Sequence, residues 1–198
     1  MQIEWNPPEP RGGWRGEWDK FVGPGQTRAE LWLILVPSLL AGLAAPLYAH
    51  FSGLGWTTLQ IIVAGVIALD LVGGVVTNAT TAAKRWYHRP GQSWRQQLAF
   101  ISVHFIHLFL VAWLFLKMDW MFFIGFYTYL IAASLIITRV RLYLQRPVAL
   151  LLFLGVLLLA FYMSKPVPGL EWFIPVFFLK LLVSHLPKEA PFSVDIPA

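Results

Sequence analysis

The sequence predicts an all-α integral membrane protein, a bundle of six transmembrane helices with both termini in the cytoplasm. Three observations carry that prediction. Of the 198 residues, 58% are hydrophobic and only 13% are charged, whereas a soluble domain is nearer one-quarter charged. The apolar residues fall in long runs. The basic residues gather on alternate connections between those runs. Such a composition excludes a soluble enzyme, a disordered chain and a nucleic-acid-binding module, in spite of a net charge of +5. With no Cys in the chain, a disulfide framework, a thiolate nucleophile and a Cys-ligated metal are excluded too.

A helix needs about 20 apolar residues to cross a hydrocarbon core. Six runs approach this length: Leu31–Ser52, Trp56–Ala83, Leu98–Leu116, Trp120–Thr138, Val148–Met163 and Leu170–Leu186. Residues 1–30 form an N-terminal segment at the cytoplasmic interface, residues 31–186 the transmembrane domain, and residues 187–198 a cytoplasmic tail. Twelve of the fifteen Lys and Arg lie before the first run, between the second and third, between the fourth and fifth, or after the sixth. Basic residues accumulate on the cytoplasmic side during insertion, so that side holds both termini. Lys117 and Lys165 lie opposite, and Lys180 lies inside a run. Trp32, Trp86 and Trp94 fall at the inner boundary and Trp56, Trp113, Trp120 and Trp172 near the outer one, where amphipathic indole rings settle. The expected location is a prokaryotic cytoplasmic membrane, with the lipid bilayer as partner and no nucleic acid.

The first apolar run starts only at Leu31, after Pro7, Pro8 and Pro10, so the N-terminus does not read as a cleavable signal peptide. Trp14, Trp18 and Phe21 recur at i, i+4, i+7, the spacing of a short surface helix. Gly12, Gly13 and Gly16 weaken that reading and leave an irregular tail as an equal alternative.

Polar residues within the runs are costly in lipid and mark candidate sites. In the first run, Ser38, Gly42, Ala45 and Ala49 form a small-residue seam for close packing within the chain or against a membrane-protein partner. Pro37 and Pro46 are expected to bend this helix. In the second run, Asp70, Gly73, Gly74, Thr77, Thr81 and Lys84 share one helical face, flanked by Asn78. The third presents Gln97, Phe100, His104, His107 and Val111, the fourth Tyr127, Ser134, Thr138 and Arg141, and the sixth Lys180. Counting the rise per residue puts Asp70, His107 and Lys180 roughly 14–20 Å deep, near the midplane. Plainer roles exist for each. Asp70 can neutralise Lys180 or a His, Lys180 can snorkel, and the two His can hydrogen-bond across helices. His50 and His185 read as wet interfacial residues.

Three functions are compatible with these residues. The first is a small transport or ligand- or ion-binding protein, in which Asp70 binds a cation or proton, His104 and His107 relay it, Thr77 and Asn78 add hydrogen bonds, and Lys180 completes the path. The second is an intramembrane enzyme acting on lipid or another apolar substrate, with His104, His107 and Asp70 holding a metal that activates water. The third is a structural or assembly factor, in which the polar stripe is packing. Arg139, Arg141 and Arg146 are candidates for holding anionic lipid headgroups. No cofactor can be read from the residues. Asn78-Ala79-Thr80 matches a glycosylation sequon but lies within a span, and no zincin, serine-hydrolase or nucleotide-loop pattern occurs. In size, number of runs and the spacing of Ala41, Ala45 and Ala49, the chain loosely resembles the substrate-binding subunits of energy-coupling-factor vitamin transporters. That resemblance implies a ligand site within the bundle and a partner along the first helix.

Overall fold

The structure, a computed structural model, describes residues 3–163 and 166–191. Lys165 and residues 192–198 of the expected tail lie outside the described residues. Helices alone form among those described: α1 (Trp14–Val22), α2 (Arg28–Phe51), α3 (Thr58–Ala79), α4 (Thr81–Tyr87), α5 (Trp94–Ser102), α6 (Phe105–Phe115), α7 (Trp120–Arg139), α8 (Leu142–Met163), α9 (Phe173–Phe178) and a π-helical segment, π1 (Leu179–His185).

Five stretches are long and apolar enough to cross a membrane: Arg28–Phe51, Thr58–Ala79, Trp94–Phe115, Trp120–Arg139 and Leu142–Tyr162. Their starts are set by local chemistry just outside the apolar runs. Thr27 with Glu30 and Thr57 with Gln60 form reciprocal capping boxes at α2 and α3, Ser93 with Gln96 does the same at α5, and the Asp119 carboxylate accepts from the Phe122 N–H at α7. Each satisfies backbone donors that lipid could not. Glu30 also accepts from the Thr81 N–H (3.1 Å), tying the start of α2 to the start of α4.

The expected sixth span differs most from its sequence reading. The helical stretch Phe173–His185 is short for a crossing, because it lies inside the bundle rather than against lipid. Phe173, Phe177, Phe178, Leu181 and Leu182 are almost wholly buried, among Leu71, Leu108, Leu130 and Val156 from the surrounding helices. A helix enclosed by protein need not match the bilayer thickness, and its apolar residues fill a core.

Two other boundaries move. The second run stops as a helix at Ala79 rather than Ala83. Thr80 breaks it, its hydroxyl donating to the Thr77 carbonyl (2.8 Å) and accepting from the Ala83 N–H (3.2 Å) to start α4. The third run divides into α5 and α6 at Val103 and His104. There the His104 N–H turns to the Ile101 carbonyl, and the ring Nδ1 donates to the Phe100 carbonyl (2.8 Å) that the break released. A helix interrupted at membrane depth must re-satisfy its backbone in this way. α2 runs unbroken through Pro37 and Pro46.

The small-residue seam of α2 faces α3. Ser38 is buried, and a Cβ on Gly73 would press on its hydroxyl. A Cβ on Gly42 would meet Leu69, and one on Gly65 would meet the Gly42 carbonyl and the Pro46 ring at 2.9 Å. Ala49 is buried and Ala45 half-buried along the same edge. The other side of α2, including Trp32, Leu40, Leu43 and Phe51, is more than 60% exposed, as expected of a lipid-facing surface.

Before the bundle, α1 forms where Trp14, Trp18 and Phe21 share a face. Arg11 clamps Asp19 in a two-pronged ion pair (2.7 and 2.9 Å), and the Phe21 carbonyl accepts from the Tyr87 hydroxyl (2.7 Å). Gly23, at φ +94°, lets the chain pass directly over the Ala82 backbone, where any side chain would collide. These contacts lay α1 across the end of α4.

Candidate functional site

Asp70 sits mid-way along α3 on the face turned toward π1 and α6. The side chains of Lys180 and His107 converge on one carboxylate oxygen: Lys180 Nζ donates to Oδ2 at 2.6 Å and His107 Nε2 at 2.9 Å. Lys180 therefore does not snorkel. It is 3% exposed and crosses α3 at Gly74, the position whose missing side chain leaves room for its methylenes. Gly74→Val is expected to push Lys180 off Asp70 and to destabilise the protein, whereas Gly125→Val, where no atom lies near, should not. Thermal unfolding of the two variants checks this.

The carboxylate is not sealed by its partners. The Asp70 side chain remains 35% exposed and lines a cavity of about 380 Å³ between α1, α2, α3 and α5. Oδ1 has no partner among the described residues. Thr77 and Asn78, both buried, line the same cavity, as does His104. Since the Phe100 carbonyl can only accept, His104 carries its hydrogen on Nδ1 and leaves Nε2 without a partner among the described residues. The His104 and His107 rings stack, with centroids 5.4 Å apart.

The structure thus brings together Asp70, Lys180, His104, Thr77 and Asn78 along one wall of the cavity, with His107 bonded to Asp70 outside that lining. It does not assemble the metal set: among the described residues no group of three His, Asp or Glu side chains is placed to hold an ion. His104 reaches a backbone carbonyl, and it stacks on His107 rather than converging with it on Asp70. The remaining polar residues serve packing. The Ser134 and Thr138 hydroxyls donate to their own helix at Leu130 and Ser134, and Tyr127 reaches the Ser102 carbonyl at 3.4 Å. Arg139, Arg141 and Arg146 are exposed. Arg139 lies over the Trp94 ring (4.2 Å), and Arg146 pairs with Glu189 at 3.8 Å.

Several residues acquire a role that the sequence did not indicate. His185 is 1% exposed, not wet. Its Nδ1 lies 3.3 Å from Asn78 Oδ1, its ring stacks on Phe100 at 4.1 Å, and its buried Nε2 has no partner among the described residues. His107 Nδ1 is buried and unpartnered in the same way. Lys84, counted as a loop charge, is buried and donates to the carbonyls of Ser184 (2.6 Å), in the last turn of π1, and Pro187 (2.8 Å), just past it. A cation there satisfies the last carbonyls of the helix and complements its dipole. The sequence signal for this is its place on the polar face of the second run; the carbonyls it reaches, about 100 positions away, were not legible.

His88, at the end of α4, donates through Nε2 to the His185 carbonyl (2.9 Å). Burial, with Lys84 and Lys188 nearby, pushes its imidazole down to about 4. The folded state then binds fewer protons than the unfolded chain between pH 4 and the ordinary His value, so stability falls as pH falls through that window. A loss of about 2 kcal/mol between pH 7 and pH 5 is expected from this group. His88→Gln should flatten that part of a plot of melting temperature against pH.

Comparison with protein-family models, with curated proteins and with solved structures gives no match.

Proposed function

We propose that the chain is a small polytopic membrane protein that binds a ligand or ion, or carries it across the bilayer, at a site built on Asp70. In this reading α9 and π1 complete a sixth crossing, and both termini face the cytoplasm. One observation carries the proposal: a carboxylate held by Lys180 and His107 at membrane depth keeps a third of its surface open to a cavity. A pair made only for packing would be shut away, because an ion pair at this depth gains most when dry and fully hydrogen-bonded. The open oxygen of Asp70, the free Nε2 of His104 and the amide of Asn78 provide acceptors and donors along one wall. Lys180 and His107 hold the carboxylate charged and in place. Protonation of Asp70 would release Lys180, which is how such a site couples occupancy to a proton.

The test is thermal unfolding of the purified protein against a panel of inorganic cations, pH steps and small organic solutes. Saturable stabilisation by at least one of these is expected in the wild type and not in Asp70→Asn. The double variant Asp70→Asn with Lys180→Met keeps the charge balance, so loss of the response there separates binding from folding. A response identical in all three proteins overturns the proposal.

A further inference from the structure

We infer that the occupant of the Asp70 cavity is a single-chain lipid with a neutral, hydroxyl-bearing headgroup, entering sideways from the membrane between α2 and α5. The inference rests on the reading of Asp70 as a binding site and adds the class of ligand and its route.

The route follows from the packing. α2 makes its extensive contact with α3 alone, yet the cavity is bounded by α2 on one side and by Phe100 of α5 and the neighbouring His104 on the other. α2 and α5 make no extensive contact with each other that would close the gap between them. Leu35 and Leu69 line the cavity and are also 38% and 42% exposed, so the same side chains touch the interior and the surrounding lipid. At the cytoplasmic end, Trp18 and Phe21 of α1 lie across the cavity. A hydrocarbon chain can enter through the side without leaving the bilayer, while a hydrated solute from the cytoplasm meets two aromatic rings.

The headgroup follows from charge and hydrogen bonding. Carboxylate and ammonium face each other at 2.6 Å and cancel. A fully charged ligand would lie against a like charge as closely as against an opposite one, after losing its hydration. Unpaired polar atoms remain on both sides of the balance. Among the described residues, Oδ1 of Asp70 and Nε2 of His104 have no donor, and two of the three N–H groups of Lys180 have no acceptor. Polar groups left unpaired at this depth are costly. A hydroxyl both donates and accepts, so it can serve Asp70 or His104 and Lys180 at once. The cavity volume of about 380 Å³ lies at the small end of ligand pockets and suits one chain rather than two.

The experiment is photolabelling of the full chain in phosphatidylcholine nanodiscs, with a diazirine-bearing oleyl alcohol and the matching oleic acid at pH 8. The alcohol is expected to label peptides containing Leu35 and Leu69 saturably, at least fivefold more than the acid. Leu69→Trp, which fills the mouth from α3, and Leu35→Trp, which fills it from α2, should each lower that labelling at least tenfold. Equal labelling by the two lipids, preference for the acid, or labelling insensitive to Leu69→Trp overturns the inference. If no lipid labels the cavity but solutes still stabilise the wild type and not Asp70→Asn, the lipid inference alone fails. If Asp70→Asn changes neither labelling nor the solute response, both readings fail.

Discussion

Lys180→Met is expected to lower stability by about 2–4 kcal/mol, while the double variant with Asp70→Asn recovers most of that loss. Removing one partner of a buried ion pair leaves the other charge without compensation, at a cost of about 3–5 kcal/mol in a dry interior. The expected figure is somewhat smaller here because the Asp70 side chain is 35% exposed to the cavity. His107 also remains on Oδ2 at 2.9 Å and holds part of the charge. Met keeps the length and apolar body of Lys180 in its channel past Gly74, so packing changes little. The double variant loses both charges together, and such exchanges are often close to neutral. Unfolding of the four proteins of this cycle, followed by helical circular dichroism in mixed micelles, gives the coupling energy directly. A coupling near zero would mean that Lys180 and Asp70 are not a pair.

Lys84→Met should be the most damaging change outside the spans. The ammonium is 4% exposed and donates to the Ser184 and Pro187 carbonyls, with Glu189 at 3.8 Å. Without it the buried Pro187 carbonyl and the part-buried Ser184 carbonyl lose their donor, at about 1–3 kcal/mol for a buried group left unsatisfied. The end of π1 would be released, and with it His185 and the carbonyl that accepts from His88. Burial lowers the Lys84 ammonium to about 8, so the folded state binds fewer protons than the unfolded chain above that pH. Stability should therefore rise, not fall, as pH goes from about 8 toward the ordinary Lys value. Limited proteolysis between Pro187 and Pro191 would report the loosening in Lys84→Met. Arg139→Met, which removes an exposed cation over Trp94, serves as the control.

Much of the helical pattern is legible in the residues because lipid imposes a simple rule: long apolar runs become helices, and their ends require polar caps. The runs beginning near Leu31, Trp56, Leu98, Trp120 and Val148 correspond to the five long apolar stretches. Their starts could have been placed more closely. Thr27-x-x-Glu30, Thr57-x-x-Gln60 and Ser93-x-x-Gln96 are capping-box spacings visible in the sequence. The breaks at Thr80 and His104 were not legible, since a Thr or His inside an apolar run is usually accommodated without interrupting the helix. Each break depends on a side chain that takes over a backbone bond, and that is a matter of local geometry.

The sequence by itself determined the solvent, the helical class and the short set of residues too polar for lipid, because the cost of burying charge in hydrocarbon leaves few places for it. Asp70, His104, His107 and Lys180 stand out for that reason alone. Only the tertiary structure decided which of them meet. Lys180 comes to Asp70 from 110 positions away, because π1 lies in the core and Gly74 leaves it a path. His107 joins them, while His104 turns to its own backbone. The same packing buries His185, which the sequence placed at the wet edge, and Lys84, which it set on the polar face of the second run and also counted among the cytoplasmic charges. Partner choice depends on which helix occupies the centre of the bundle, and the centre goes to the short last helix because its large aromatic and aliphatic side chains can be covered on every side.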